Sequence, residues 1–345
     1  MVKFEIGNQL IGDDLPPLVI AEIGINHGGS LQTAKLMVDA ASRAGAKVVK
    51  HQSHVVQDEM SPSARDLIPG NADVSIYELI KTCALSPDEE FELKRHVESH
   101  NMLFLSTPFS RAAADNLQNM GVLAFKIGSG ECNNYPLVEH IARFNKPVIL
   151  STGMNSLESI RPAVEILRAH RLPFALLHCT NIYPTPPALV RLAAMGELKE
   201  AFPDAVVGLS DHTTGNYTSF AAVALGASII ERHFTDHMTR SGPDIRCSAD
   251  EAAFGDLLNG CRDIFLARGG TKEPLVEERD TMNFAFATVV TIDPIRKGEV
   301  LTTENIWVKR PGTGEIPAKK FELIIGRTAA ADLESGRHLN WSDLS

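Results

Sequence analysis

Residues 205–234 read AVVGLSDHTTGNYTSFAAVALGASIIERHF, and the fold is decided in this stretch. Ala205 to Ser210 is a short apolar strand that stops at the polar run Ser210, Asp211, His212. Ser228 to Phe234 is a second strand, stopping at Glu231, Arg232 and His233. Between them, Asn216 to Leu225 has the small and apolar spacing of a packed helix, and Gly226 is a stop signal. Strand, helix and strand in this order make one βαβ unit, whose parallel strands lie side by side or nearly so. Neighbouring strands run about 4.8 Å apart, so histidines ending both can converge on one ion. A lone histidine in such a place is more often a hydrogen-bonded core residue. Two at matching strand ends, His212 and His233, among Asp211, Glu231 and Asp244, point to a metal site.

The same unit recurs along the chain. Further apolar strands are expected at Leu18–Gly24, Val48–Gln52, Leu103–Pro108, Ala124–Ser129, Pro147–Thr152 and Phe174–Thr180. Helical periodicity falls between them at 31–43, 88–99, 111–120, 137–144, 157–169 and 190–201, and 254–267 follows the last strand. Eight strands alternating with helices predict an α/β fold, a (β/α)8 TIM barrel, and regular repetition favours closure over an open doubly wound sheet. The insertion from Val55 to Ala84 reads as too polar for core, and its length suits a lid, binding loop or interface arm.

Beyond Arg268-Gly-Gly the texture changes. Charged residues from Lys272 onward read as a linker, and Phe284 to Ser345 shows short strands and turns. The pattern Ile295, Gly298, Leu301, Ile306 returns at one constant offset as Leu333, Gly336, Leu339, Leu344, which suggests two similar halves. The expected organisation is a catalytic barrel over 1–271, a linker over 272–283 and a small mostly-β domain over 284–345.

Composition sets outer limits. The 345 residues are 44% hydrophobic and 22% charged, which gives ample core for a globular protein. A net charge of −10 argues against a nucleic-acid partner, whose footprint would be basic, and requires any anionic substrate to find a local cationic pocket. Five cysteines with no CxxC spacing fit a reducing compartment better than a disulfide framework. No apolar run reaches membrane-spanning length and Met1 to Asp14 has no apolar signal core, so a cytoplasmic location is the expectation.

In such a barrel, chemistry sits at the carboxyl ends of the strands. Those ends supply Glu22, Lys50 with Gln52, Thr107, Lys126 with Ser129 and Glu131, Ser151, Asn181 with Tyr183, Ser210 with His212, and Glu231 with His233. Two lysines among hydroxyls and glycine-rich turns suit a phosphate or carboxylate. Cys179 also lies at a strand end, where a buried structural thiol is expected because no basic partner for it is evident.

These residues sit in motifs that resemble the bacterial sialic acid (N-acetylneuraminate) synthases. The matching segments include AEIGINHGGS, VVKHQSHVVQDEM, IPGNADVSIYE, FKIGSGECNNYPL, HCTNIYPTP, GLSDHTTGN, ERHFTDHMTRSGPD and WVKRPGTG, in family order along almost the whole chain. The resemblance implies metal-dependent condensation of phosphoenolpyruvate with open-chain N-acetylmannosamine, releasing phosphate. It places phosphoenolpyruvate on Lys50, Thr107, Lys126, Ser129, Ser151, Asn181 and Ser210, and a divalent metal, Mn²⁺ with Mg²⁺ or Co²⁺ as alternatives, on His212 and His233. It places the amino sugar on Glu22, Gln52, Asn71, Tyr183, Asp244 and Arg310, and gives Glu131 or Glu22 the proton transfers. The tail resembles an antifreeze-like (SAF) domain whose Arg310 serves the partner barrel, which implies a domain-swapped homodimer. Arg246 and Gly28 depart from the family pattern, the first from a small or apolar residue and the second from a polar one, and both leave sugar specificity open.

Three other readings stand beside this one. The chain could make a related nonulosonic acid such as legionaminic acid from a different N-acetylated hexose. It could be a Schiff-base aldolase using Lys126 or Lys50. A non-enzymatic ice-binding role for the tail is disfavoured by Lys297, Glu299 and Glu304, where a flat ice face would be apolar.

Overall fold

The structure is a computed structural model, described for residues 2–70 and 73–345. It divides into two compact units, Met1–Gly269 and Gly270–Ser345. The first opens with an antiparallel hairpin, β1 (Lys3–Ile6) and β2 (Gln9–Gly12). Gly7 turns it at φ +59°, where a side chain would be strained. The chain then alternates β3 (Leu18–Gly24), α1 (Leu31–Ala44), β4 (Val48–Ser53), the inserted α2 (Val56–Glu59) and α3 (Ile76–Cys83), α4 (Pro87–Ser99) and β5 (Leu103–Pro108). It continues through α5 (Arg111–Asn119), β6 (Phe125–Ile127), α6 (Tyr135–Ala142), β7 (Val148–Ser151), α7 (Leu157–Ala169) and β8 (Phe174–Cys179). It ends with α8 (Ala194–Ala201), β9 (Val206–Asp211), α9 (Tyr217–Ala224), β10 (Ile229–His233) and α10 (Glu251–Ala267).

The eight strands β3 to β10 pair in parallel in the order β5-β4-β3-β10-β9-β8-β7-β6, a nearly closed barrel wrapped by helices. Strand alternation sorts the core into two layers. Val19, Ala21, Ile23 and Val49 point outward and pack with Met37, Val38 and Ala41 of α1. Ile20, Val48, Leu103, Leu105, Ala124, Ile149, Ala175, Leu177, Val206 and Ile229 fill the interior. Burying one such aliphatic side chain is worth about 1.5–3 kcal/mol, and a one-residue slip would turn every one of them to the wrong face. The register that fixes this layer therefore fixes the next inward residues, which carry the polar groups at the carboxyl end. Phe4, Ile6 and Ile11 of the hairpin join the interior layer and floor the barrel, a role absent from the sequence expectations.

Three expectations need correction. The helix expected over 190–201 begins only at Ala194, because Arg191 sits at φ +54° and Pro186 and Pro187 precede it, so the segment from Pro187 to Leu189 forms a 3-10 turn instead. α10 starts at Glu251 rather than Phe254, because Asp250 caps it by accepting from the Ala253 N–H. The insertion after β4 has its own small core, in which Val56, Tyr77, Ile80 and Cys83 bury against Ile25.

The second unit contains α11 (Arg279–Ala285) and an antiparallel pair, β11 (Thr288–Thr291) with β12 (Ile306–Lys309). The sequence echo is structural. Ile295 and Leu333 exchange both backbone hydrogen bonds, at 2.9 and 2.8 Å. Gly298 N–H donates to Ala329 O, while Gly336 N–H donates to Thr291 O, the position matching Ala329 under the same offset. Both glycines stand at φ +83°, and the six apolar residues of the echo share one buried cluster.

Candidate active site

Above the aliphatic layer the inward positions become polar. Glu22, Lys50, Thr107, Lys126, Ser151 and Glu231 each stand two residues beyond an aliphatic neighbour on the same face, while Ser210 follows Gly208 and His233 follows Glu231 at that spacing, and all are buried. Gly208 makes room for this packing, since a Cβ there would come within 2.3 Å of Ile229 O.

The centre is a compensated charge network. Lys50 Nζ lies 2.7 Å from Glu22 Oε1 and 3.6 Å from Glu231 Oε2, and donates to Thr107 Oγ1 at 3.2 Å. Lys126 Nζ donates to Ser151 Oγ at 2.7 Å and lies 3.6 Å from Glu231 Oε1. Ser210 Oγ–H donates to Glu231 Oε1 at 2.9 Å, and Gln52 Nε2–H donates to Glu22 Oε1 at 2.8 Å. Burial alone would raise the Glu22 carboxyl, but Lys50 and His233 hold it well below the usual carboxylate range. Burial would lower Lys50, and Glu22 with Glu231 more than offset it. At Lys126 burial wins: its ammonium is depressed despite Glu231, with Lys50 adding to the effect. Two cations and two anions out of water are tolerable only because each faces an opposite charge.

Beside this network, Ser129 Oγ accepts from the Gly153 N–H at 3.0 Å. Asn181 Nδ2–H donates to Tyr183 OH at 3.3 Å. Tyr183 stacks on His212 with ring centroids 4.2 Å apart, and the His212 and His233 rings are 5.3 Å apart. His212 Nδ1–H donates to Thr180 O at 3.0 Å, so Nε2 is the nitrogen that would face a cation once its own proton is displaced. His233 Nδ1 is buried without a hydrogen-bond partner among the described residues and faces Asp244 Oδ2 at 4.0 Å. An orphaned imidazole nitrogen beside a second imidazole and a carboxylate is a donor set that fits a divalent cation.

Not every expected residue joins this constellation. Glu131 accepts from Asn134 Nδ2–H at 2.5 Å and lines a cleft of about 420 Å³ with Glu59, Arg111 and His140. No hydrogen bond or ion pair among the described residues ties it to the lysines. Burial raises its carboxyl. Asn71 falls outside the described residues, and Arg310 belongs to the second unit, directly after β12.

The structure corrects the expectation for Cys179. Its Sγ lies 3.8 Å from His212 Nδ1, so it has a basic neighbour after all. Burial would raise the thiol, but His212 brings it below its ordinary value. Burial would likewise lower His212, yet Cys179 and the Thr180 carbonyl push it up to about 9. Sequence reasoning placed Glu231 at the mouth beside His233 but did not pair it with the lysines, although it is the only described carboxylate within 4 Å of both Lys50 and Lys126. The available signal was its spacing of two from His233, which puts both on the inner face of β10.

Comparison with known proteins follows the two units. Residues 37–273 match the NeuB family and residues 286–345 match the SAF domain. The chain is 39% identical over 320 residues to the N,N'-diacetyllegionaminic acid synthase of Campylobacter jejuni, covering 90% of this chain and 95% of that protein. It is 31% identical over 328 residues to the human N-acetylneuraminate-9-phosphate synthase, covering 94% and 91%. The crystal structure of the N-acetylneuraminic acid (sialic acid) synthetase of Leptospira borgpetersenii in complex with citrate superposes with a TM-score of 0.74 at 33% identity, covering 81% of this chain and 95% of that one.

Proposed function

Because the chain belongs to the NeuB family and carries a SAF domain, we propose that it is a nonulosonic acid synthase that joins phosphoenolpyruvate to an open-chain N-acetylated hexosamine and releases phosphate. N-acetylmannosamine, giving N-acetylneuraminate, is the first substrate expectation. The higher identity to a diacetyllegionaminic acid synthase, 39% against 31%, favours a diacetamido hexose as the second reading.

One observation carries the proposal: two buried lysines, already compensated by carboxylates, sit beside two imidazoles and a carboxylate at one barrel mouth. Lys50 and Lys126, with Thr107, Ser129, Ser151, Asn181 and Ser210, would hold the carboxylate and phosphate of phosphoenolpyruvate. Gln52, Tyr183, Asp244 and Glu22 would orient the sugar, joined by Asn71 and by Arg310 from the partner chain of a domain-swapped dimer. His212 and His233 would hold a divalent ion, Mn²⁺ first, which when bound supplies a Lewis acid for the aldehyde carbonyl.

The C3 carbon of phosphoenolpyruvate attacks the aldehyde carbon and leaves positive charge at C2. Water captures C2, and phosphate then departs with its bonding electrons. Glu22, held ionised beside Lys50 and therefore a weak base, is suited to orient that water, whose proton leaves with the departing phosphate. Glu131, with its raised carboxyl, is the better proton donor of the two.

The test is phosphate release from phosphoenolpyruvate across a panel of N-acetylated hexosamines, with and without EDTA. Sugar-dependent, EDTA-sensitive release supports the reading. No release with any sugar, or EDTA-resistant turnover with borohydride trapping of pyruvate on a lysine, overturns it in favour of an aldolase.

A further inference from the structure

A second cluster of donors lies outside the barrel wall. Asp39 on α1 faces His96 on α4 and His100, the residue that caps α4 one turn later. His96 Nε2 lies 2.7 Å from Asp39 Oδ1, and His100 Nε2 lies 3.0 Å from the same oxygen. The two rings are 5.0 Å apart at 67°, so they approach the carboxylate from different directions. We propose that Asp39, His96 and His100 form a binding site for a divalent d-block cation, Zn²⁺ by donor type, that ties α1 to α4.

The spacing of the histidines supplies the first reason. Residues four apart on a helix share a face, so two imidazoles can close on one point. Three ligand atoms, one from each residue, all lie within 4.8 Å of one another. Two nitrogens and one carboxylate oxygen make a borderline donor set suited to zinc rather than to magnesium or calcium. With bonds of about 2.0–2.2 Å, tetrahedral ligands stand roughly 3.3 Å apart. The two N···O separations, 2.7 and 3.0 Å, have to open by about 0.6 and about 0.3 Å to reach that spacing. Side chains that are 25%, 31% and 35% exposed can do this, and the same exposure lets the ion in.

Proton bookkeeping supplies the second reason. His100 Nδ1 lies 3.2 Å from Ser42 Oγ on α1. Without an ion, the Ser42 hydroxyl donates to Nδ1 and Nε2–H donates to Asp39 Oδ1; with an ion bound, the tautomer whose Nδ1–H donates to Ser42 Oγ frees the Nε2 lone pair for it. The bond to Ser42 is the kind of outer contact that orients metal-ligating histidines. Of the cations on α1, Lys35 pairs with Glu92, and Arg43 pairs with Glu251 at 2.7 Å.

The site is separate from the mouth, so its test must remove the mouth histidines. In a His212→Ala/His233→Ala parent, Co²⁺ should still give a d–d absorption band that Zn²⁺ displaces, and adding His100→Ala should abolish it. In the otherwise unaltered chain, equilibrium dialysis should show one Zn²⁺ equivalent fewer for His100→Ala than for wild type. The Zn²⁺-dependent rise in Tm should vanish with it. Equal zinc stoichiometry in wild type and His100→Ala overturns the proposal, as does a folded parent that binds no Co²⁺. In either case the cluster is a hydrogen-bonded clamp between helices and nothing more.

Discussion

Glu22 and Lys50 occupy register-paired positions of β3 and β4, with Oε1 and Nζ 2.7 Å apart and both side chains almost fully buried. Lys50→Met should leave Glu22 as an uncompensated buried charge, a loss of roughly 3 to 5 kcal/mol in stability. Adding Glu22→Gln should recover much of it. Urea unfolding of the two single variants and the double variant gives the coupling, and additive losses would show that the pair does not act as a unit.

Lys126→Met should raise the KM for phosphoenolpyruvate by roughly two orders of magnitude, the equivalent of about 3 kcal/mol. The KM for the sugar should change little, because Lys126 contacts Ser151 and Glu231 and none of the expected sugar residues. Equal rises in both constants would assign it a structural role.

His212→Ala or His233→Ala should abolish condensation and weaken Mn²⁺ binding, read by electron paramagnetic resonance of free Mn²⁺. Mouth-facing polar side chains add little to the barrel core, so the stability loss should stay near 1 kcal/mol. Turnover close to wild type when Mn²⁺ is added back to metal-depleted variant would sink the ligand assignment.

Glu90 predicts a pH dependence. It lies buried behind β4 with Ser53 Oγ 2.9 and 2.7 Å from its two oxygens. One hydroxyl hydrogen serves only one of them, so the second contact suits a protonated carboxyl donating back. Burial pushes its pKa from 4.5 up to about 8, against the Ser53 bond. The folded state then holds a proton that the unfolded state has released. This contribution is complete below pH 4.5 and is lost as pH rises towards 8, at up to about 1.4 kcal/mol per pH unit. Urea midpoints at pH 5, 6.5 and 8 should fall more steeply for wild type than for Glu90→Gln. Parallel curves would contradict the assignment.

Arg310 tests the swapped dimer. If each mouth takes Arg310 from the partner, His233→Ala and Arg310→Ala should both be inactive alone. Mixed and allowed to exchange subunits, they should regain part of the activity, because one mouth per heterodimer receives two intact components. A mixture that stays inactive although heterodimers are demonstrated would show that Arg310 serves its own chain or none.

The amino-acid sequence by itself determined the barrel and most of its strand boundaries. Eight apolar strands at regular intervals leave few alternatives, and period-two alternation commits Lys50, Lys126, Glu231 and His233 to the inner face once Val48, Ala124 and Ile229 fill the core. The echo in the second unit was equally legible, because Ile295 and Leu333 are placed by the same local pattern.

The hairpin floor was less so, although Gly7-Asn8 carried the turn signal, since nothing local says that Phe4 and Ile6 will plug a barrel. Only the tertiary structure decided the partners. Glu231 meets Lys50 from β4 and Lys126 from β6, and Cys179 meets His212 across a strand pair. Asp39 meets two histidines 57 and 61 residues away. Periodicity fixes the face on which a side chain stands, because it follows from the backbone of one element. Which charge stands opposite depends on shear, closure and helix packing, which no single element contains.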